Sequence, residues 1–183
     1  MPPTRFRLES AALLVVDMQE KLVPHMHNAQ SLVPQVARLL DGANAINLPM
    51  LVTEHYRKGL GVTLPELQPR IARALCNCDK VLFSACVDPV LEELRRGKFT
   101  SVIVCGVEAH VCVLQTCLDL LEHGYNVALM TDAIGSRRPF DMEMGIKRLI
   151  QAGVVPTTVE SMLFELVREA GTPLFKAMLN VVK

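Results

Sequence analysis

Short runs of aliphatic and β-branched residues alternate along this chain with longer stretches of helical spacing, and this alternation constrains the fold more than any other feature. The runs predict six strands, at residues 12–18, 49–55, 81–86, 101–107, 126–132 and 155–160. Nearly all are continuously apolar, which is typical of parallel strands covered on both faces. The helical stretches are residues 30–47, 89–97, 110–123, 139–151, 161–170 and 173–181.

The order of these elements predicts an α/β fold. Right-handed crossovers would build a three-layer α/β/α, doubly wound, Rossmann-like domain with a six-stranded, mainly parallel sheet. No repeat, low-complexity tract or linker divides the 183 residues, so we expect a single domain over 1–183. Ligands of such sheets bind outside the carboxyl ends of the strands. Candidate functional residues are therefore sought at that edge.

The charge balance bears on the class of partner. The chain has 19 basic and 19 acidic residues and a formal net charge of zero, which argues against a nucleic-acid or anionic-membrane partner. No apolar run approaches the roughly 20 residues that a membrane span needs. Residues 1–7 lack the apolar core of a secretory signal, so we expect a soluble, cytoplasmic protein with a small-molecule substrate.

The cysteines and the apolar fraction add two further expectations. The six cysteines include no Cys-x-x-Cys pair and no zinc-finger spacing, so we expect reduced thiols and no metal centre built on them. Half of the residues are hydrophobic, and the tail over 161–181 is rich in Met and Leu. This excess over the needs of one small core predicts a homo-oligomer.

Cys112 is the strongest candidate for a reactive residue. The segment 101–116 reads as a buried strand, a tight turn and a helix with Cys112 in its first turn. A thiol beside unpaired helix N–H groups has its thiolate favoured, and a thiolate attacks carbonyl carbons. The alternative is a cysteine that packs as a small hydrophobic residue.

Two charged residues lie beside apolar strands. Asp17 directly follows the first strand, where it is either a helix cap or turn residue or a general base. Lys80 opens the predicted strand 81–86, where it is either a solvated charge or an ammonium held against a carboxylate. Attraction between Lys80 and Asp17 would keep both groups charged.

These residues together resemble the isochorismatase-like cysteine hydrolases, the family that includes the nicotinamidases. Three segments carry the resemblance in the family's order: Leu-Val-Val-Asp17-Met-Gln, Lys80-Val-Leu-Phe-Ser and Gly106-Val-Glu-Ala-His-Val-Cys112-Val. The stretch 53–67 is most similar to the isochorismatase-domain-containing subgroup. The resemblance spans nearly the whole chain and implies the isochorismatase-like hydrolase fold, a three-layer α/β/α domain.

The resemblance also implies a mechanism. Asp17 would accept the thiol proton of Cys112, Lys80 would hold Asp17, and the thiolate would attack an amide-type carbonyl to give a thioester. The family places a cis peptide at the position of Val107–Glu108. The main-chain N–H groups of Glu108 and Cys112 would then form the oxyanion hole. The expected activity is hydrolysis of a small-molecule C–N bond without a cofactor.

The surrounding residues are less informative. Positions just after strand ends suggest Gln19, His55, Tyr56 and His110 as pocket residues, each alternatively an ordinary surface side chain. Arg137 is a further pocket candidate, with the surface interpretation favoured. The Asp-x-His metal motif of nicotinamidases is absent, and a ligand set of histidines 25, 27 and 55 is less expected than solvated side chains, so we predict no metal.

Two other functional classes stay open at this point. A retired hydrolase could serve as a binding or assembly module, because a fold does not guarantee an activity. A nucleotide-binding α/β protein is a poorer match, since no Gly-x-Gly-x-x-Gly motif follows the first strand.

Overall fold

The structure of the protein, a computed structural model, describes residues 5–182. Residues 1–4 and 183, which belong to the predicted domain 1–183, lie outside the described part, as does most of the N-terminal segment in which no secretory signal is expected. The strands are β1 Ala11–Val16, β2 Met50–His55, β3 Cys76–Lys80, β4 Ser101–Val107, β5 Asn126–Gly135 and β6 Val155–Thr157. The helices are α1 Ala29–Ala45, α2 Arg57–Leu60, α3 Asp88–Arg96, α4 Cys112–Glu122, α5 Pro139–Ala152, α6 Val159–Val167 and α7 Pro173–Val182.

The six strands form one sheet in the order β3-β2-β1-β4-β5-β6, and every neighbouring pair is parallel. This is the doubly wound order, in which the chain starts at the centre and builds outward in both directions. The predicted α/β fold is therefore confirmed, and the sheet is wholly parallel. Every residue of β1 and β4 is buried, which explains why both read as continuous apolar runs.

Apolar side chains cover both faces of the sheet. On one face, a core cluster joins inward residues of β1 and β2 to helices α1, α6 and α7. On the other face, a second cluster joins β1 and β4 to helices α3, α4 and α5. This layering fixes the carboxyl ends of the central strands between two packed helical layers. No helix within residues 5–182 combines the length and the apolar character needed to cross a membrane.

The third strand differs from the prediction. The structure places β3 at Cys76–Lys80, whereas the predicted run 81–86 forms bends after it. Val81, Leu82 and Phe83 are exposed, at 75%, 62% and 50%. Strand β3 is at the sheet edge and, among the strands of residues 5–182, pairs only with β2, so it needs little apolar character to be a strand. The prediction followed hydrophobicity and therefore chose the wrong segment.

The ends of two strands also differ from the prediction. β5 continues past the predicted end to Gly135, with a shift in its register against β4. β6 ends at Thr157, because Thr158 caps helix α6 by accepting a hydrogen bond from the main-chain N–H of Ser161. These shifts leave the fold unchanged, but the longer β5 brings the segment after Gly135 to the site described next.

Candidate active site

Asp17 lies just past β1 and is fully buried. Its φ of 54° lies in the left-handed region, so the chain turns sharply as it leaves the sheet. The hydroxyl of Thr53 donates to Asp17 Oδ1 at 2.8 Å. Thr53 lies in β2, two residues before its carboxyl end, and sequence reasoning did not single it out. Its position near the carboxyl end of a strand was the signal that could have found it.

Lys80 is the last residue of β3, so it stands at the exit of a strand and not at the entry expected from the sequence. Its Nζ lies 2.7 Å from Asp17 Oδ2, and both side chains are fully buried. The same ammonium donates to the main-chain oxygens of Leu82 at 3.2 Å and Phe83 at 2.9 Å. All three of its N–H groups therefore have acceptors, which makes a buried charge tolerable.

Cys112 is the first residue of α4 and therefore lies in the first turn of the helix, as the sequence suggested. Burial, followed by the nearby Asp17 carboxylate, raises the pKa of Cys112 to about 12, against the opposing influences of Lys80 and of a hydrogen bond from the main-chain N–H of Glu108. The expectation that the helix end favours a standing thiolate is therefore wrong. The resting group is a neutral thiol beside a carboxylate that can take its proton.

The turn between β4 and α4 places main-chain donors near this thiol. Gly106 is at φ 116°, and a Cβ there would lie 2.0 Å from the main-chain oxygen of Val16, so only glycine allows β4 to approach β1 this closely. The Val107–Glu108 peptide bond is cis. Within residues 5–182, the main-chain N–H groups of Glu108 and Cys112 donate to no oxygen atom. They are available to a substrate oxygen.

Gln19 supports the site without being free to bind. Its side-chain nitrogen donates to the main-chain oxygens of His55 at 3.0 Å and Gly61 at 2.7 Å, and its oxygen accepts from the main-chain N–H of His55 at 2.7 Å. The side chain is buried and joins the exits of β1 and β2. The Gln19 side chain therefore holds the ends of β1 and β2 together, whereas the sequence suggested that it contacts a ligand in the pocket.

The aromatic candidates lie around the same edge. The His55 ring packs against Phe83 with ring centroids 5.3 Å apart, and its buried Nδ1 has no hydrogen-bond partner among the described residues. Tyr56 is 53% exposed. His110 Nδ1 lies 3.0 Å from the Ser136 hydroxyl. Among these three candidates, only His55 has a buried polar atom without a partner in the described residues.

The carboxylate of Glu108 is a feature that sequence reasoning missed. It accepts hydrogen bonds from the main-chain N–H and from Nε of Arg137. Both residues border a cavity of about 540 Å³ together with Leu22, His25 and Met26. No signal in the sequence linked the two residues, because they belong to separate loops that meet only in the fold.

Neither a metal cluster nor a disulfide bond occurs in the part of the chain that the structure describes. Over residues 5–182, no three His, Cys, Asp or Glu side chains group together in a way that could hold a metal ion. All six cysteines are free. The chemistry that this arrangement offers is that of a thiol, a carboxylate and an ammonium beside main-chain N–H donors.

The sequence of this chain is similar to those of known proteins. Residues 11–161 match the family model described as Isochorismatase domain. Isochorismatase domain-containing protein 2 of Danio rerio is 39% identical, and the match covers 94% of this chain and 86% of that protein.

Two solved structures are also similar. A structure named MAR1 ribonuclease, from Caenorhabditis elegans, has a TM-score of 0.92 and 38% identity and covers 98% of this chain and 92% of that one. The ycaC gene product of Escherichia coli, described as an octameric hydrolase of unknown specificity, has a TM-score of 0.89 and 25% identity, covering 100% and 93%.

Proposed function

This chain belongs to the isochorismatase family, and we propose that it is a cysteine hydrolase that cleaves a C–N bond of a small molecule through a thioester on Cys112. The family assignment supports a hydrolase. One observation carries the finer proposal: the pairing of Asp17 with Lys80 at 2.7 Å beside a buried thiol. A carboxylate kept charged next to a neutral thiol is suited to general-base activation of a nucleophile.

The first half of the reaction forms the thioester. Asp17 takes the proton from Cys112 Sγ as the sulfur attacks the carbonyl carbon. The main-chain N–H groups of Glu108 and Cys112 donate to the oxygen as it becomes negative. The C–N bond then breaks, and the leaving nitrogen receives the proton from Asp17. Lys80 stays charged throughout and stabilises the ionised form of Asp17.

The second half releases the product. Water attacks the thioester carbon while Asp17 again accepts a proton, and the same N–H groups hold the second oxyanion. The C–S bond breaks and Cys112 recovers its proton. Because every proton passes between Asp17, the thiol, water and the substrate, the cycle needs neither a metal nor an organic cofactor.

The experiment compares Cys112→Ala with Cys117→Ala on a panel of small amides and ureas. Both cysteines lie on α4 and are buried, so the second variant controls for loss of a thiol from the same helix. We expect Cys112→Ala to lose about 10³-fold or more in turnover and Cys117→Ala to retain most of it. An acyl adduct on Cys112, trapped at low pH and found by peptide mass spectrometry, would support the thioester. Amide hydrolysis that survives Cys112→Ala would disprove the proposal.

RNA cleavage is the second candidate, and the name of the similar Caenorhabditis elegans structure favours it. The formal net charge of zero argues against a polyanionic substrate. Attack by a ribose 2′-hydroxyl needs a base and an acid but no thiol. Cleavage of an RNA oligonucleotide by wild type and Cys112→Ala alike would therefore favour this candidate, as would a steep loss with added salt.

We also propose that the protein works in the cytoplasm as a homo-oligomer. The octameric description of the similar Escherichia coli protein supports assembly. Exposed apolar side chains at Val81, Leu82 and Phe140 give this chain surface to bury. Light scattering is expected to give a mass that is a multiple of 20.2 kDa, and a monomer would contradict this part of the proposal.

A further inference from the structure

Glu108 has two roles in the structure because its main chain and its side chain face different groups. Its main-chain N–H reaches the thiol of Cys112, and its main-chain oxygen accepts from the N–H groups of Val111 at 3.0 Å and Val113 at 3.1 Å. Its side chain is only 11% exposed and turns toward the loop after β5. One residue therefore connects the nucleophile to a second loop.

The second contact is made by Arg137. Its main-chain N–H donates to Glu108 Oε2 at 3.0 Å. Its Nε donates to Oε2 at 3.0 Å and to Oε1 at 3.2 Å. A carboxylate held by a guanidinium and a main-chain N–H together has little freedom to rotate. The backbone of Glu108 is therefore held in place by the contacts of its side chain as well as by those of its main-chain oxygen.

The loop that carries Arg137 is itself fixed on both sides. The main-chain oxygen of Ser136 accepts from the main-chain N–H of His27 at 3.0 Å and lies 2.8 Å from His27 Nδ1. The main-chain oxygen of Gly135 accepts from the N–H of Ala109 at 2.7 Å. Arg137 therefore projects from a rigid base, and its contact can transmit position as well as charge.

The ion pair between Arg137 and Glu108 is expected to add little to the stability of the fold, because the arginine is exposed. The Arg137 side chain is 63% exposed, so water and salt screen its charge. Its removal should leave the unfolding transition nearly unchanged. Any large effect would then be on the geometry of the Glu108 main chain, whose N–H must lie close to the substrate oxygen to be useful.

We infer that Arg137 is a positioning residue, which holds the Glu108 carboxylate so that the Glu108 main-chain N–H is aimed at the carbonyl oxygen of the substrate. This inference rests on the proposed thioester mechanism. It assigns a task to a surface arginine and to the side chain of a residue that the mechanism uses only through its main chain. Arg138, the adjacent exposed arginine, has no such contact and is the matched control.

The test compares two reactions of Cys112 that differ in one step. Acylation by p-nitrophenyl acetate passes through a tetrahedral oxyanion and is followed as a burst of nitrophenolate. Reaction with methyl methanethiosulfonate transfers a methylthio group to the same sulfur as methanesulfinate leaves, and it generates no oxyanion. Arg137→Ala should lower the acylation rate constant by about 10-fold to 100-fold. The methylthiolation rate should stay within about twofold, because the hydrogen bond from the Glu108 N–H is the smallest of the influences on the Cys112 pKa.

The variants around this comparison decide the role of Arg137. Arg137→Lys keeps a positive charge but loses the planar contact, so it should also slow acylation. Arg138→Ala should change neither reaction. Loss of both reactions in Arg137→Ala to a similar extent would indicate a general disturbance of the site and would overturn the inference. A higher half-saturation concentration of the ester in Arg137→Ala, with an unchanged maximal acylation rate, would also overturn the inference, because Arg137 would then bind the substrate directly.

Failure of the proposed function gives a different result. If wild type shows no nitrophenolate burst that depends on Cys112, the thioester mechanism is wrong, and the inference about Arg137 falls with it. If the burst is present in wild type and unchanged in Arg137→Ala, the mechanism stands and only the positioning role is rejected.

Discussion

Two buried carboxylates stand near the carboxyl ends of neighbouring strands, Asp17 after β1 and Glu54 in β2, and each is paired with a cation. Asp17 and its partner Lys80 are both fully buried. Glu54 is 2% exposed, whereas its partner Arg57 is 39% exposed. The two pairs are alike in chemistry and differ in what else the carboxylate contacts.

The surroundings of the two carboxylates separate a candidate base from a structural anion. Glu54 Oε1 accepts from the main-chain N–H and the hydroxyl of Thr63, both at 2.7 Å, and Oε2 accepts from Arg57. None of these groups around Glu54 is a nucleophile that the carboxylate could activate in the proposed reaction. Asp17 also faces the thiol of Cys112. Glu54 also borders a cavity, of about 570 Å³, so a neighbouring cavity does not by itself mark a carboxylate as the base.

The largest expected difference between the two carboxylates is in turnover. Asp17→Asn keeps the shape of the side chain but removes the proton acceptor, so we expect a loss of about 10³-fold in the rate of amide hydrolysis. Glu54→Gln should stay within about threefold of wild type, because its contacts support the β2 exit and touch no reacting atom. Steady-state kinetics on one substrate test both. Equal losses in the two variants would remove the distinction.

The partner cations should differ in their effect on stability. Lys80→Met leaves the Asp17 carboxylate buried without its counter-charge, and we expect a loss of about 3–5 kcal/mol in the free energy of unfolding. Arg57→Met removes a partly exposed partner and should cost about 1 kcal/mol or less. Urea denaturation measures both. The double variant Asp17→Asn/Lys80→Met should recover part of the loss, because it removes both charges.

A smaller effect should distinguish Glu54 by its pH dependence. Burial raises the pKa of Glu54, but the hydrogen bonds from Thr63 and the contact with Arg57 outweigh it, and the pKa falls below its usual value of 4.5. The ionised form thus favours the folded state, so its contribution to stability is present above pH 4.5 and is lost as the pH falls through the folded-state pKa.

Glu54→Gln should therefore cost about 1–3 kcal/mol at pH 7 and progressively less in acid. The measurement is urea denaturation of both proteins between pH 7 and pH 3. A difference that stays constant across this range would show that the charge of Glu54 has no part in the stabilisation.

The sequence predicted the centre of this molecule better than its edge. Strands β1 and β4 are buried on both faces, so hydrophobicity alone located them and placed Asp17 and Cys112 at one edge of the sheet. The predicted position of β3 was wrong, because an edge strand pairs on one side and needs few apolar residues. Its sequence is Cys-Asn-Cys-Asp-Lys. The exposed run after β3 is more apolar than the strand itself.

Contacts between distant segments could not be predicted from local patterns. The pKa expected for Cys112 considered only its own helix end, whereas the structure adds burial and the charge of Asp17. The contact between Glu108 and Arg137 likewise joins two loops that carry no shared motif. In both cases the missing quantity was the position of a charge brought close by the fold.

Thiol reactivity offers the finest test of the comparison, because each ion pair influences a different cysteine. At Cys78, the adjacent Cys76 thiol, aided by the charges of Lys80 and Arg57, lowers the pKa below its usual value despite burial. We therefore expect iodoacetamide at pH 8 to label Cys78 before Cys112, as measured by peptide mass spectrometry. Faster labelling of Cys112 would show that the helix end outweighs burial and Asp17.

Two substitutions should then shift labelling in opposite directions. Asp17→Asn removes the negative charge that helps to raise the pKa of Cys112 and leaves Lys80 beside the thiol, so alkylation of Cys112 should become faster while hydrolysis is lost. Arg57→Met removes a cation that lowers the pKa of Cys78, so labelling of Cys78 should become slower. Slower alkylation of Cys112 in Asp17→Asn would instead mean that Asp17 activates the thiol even without a substrate. Asp17 would then act on the thiol of Cys112 before any substrate binds. The difference between Asp17 and Glu54 would in that case be the contact of Asp17 with a thiol in the free enzyme.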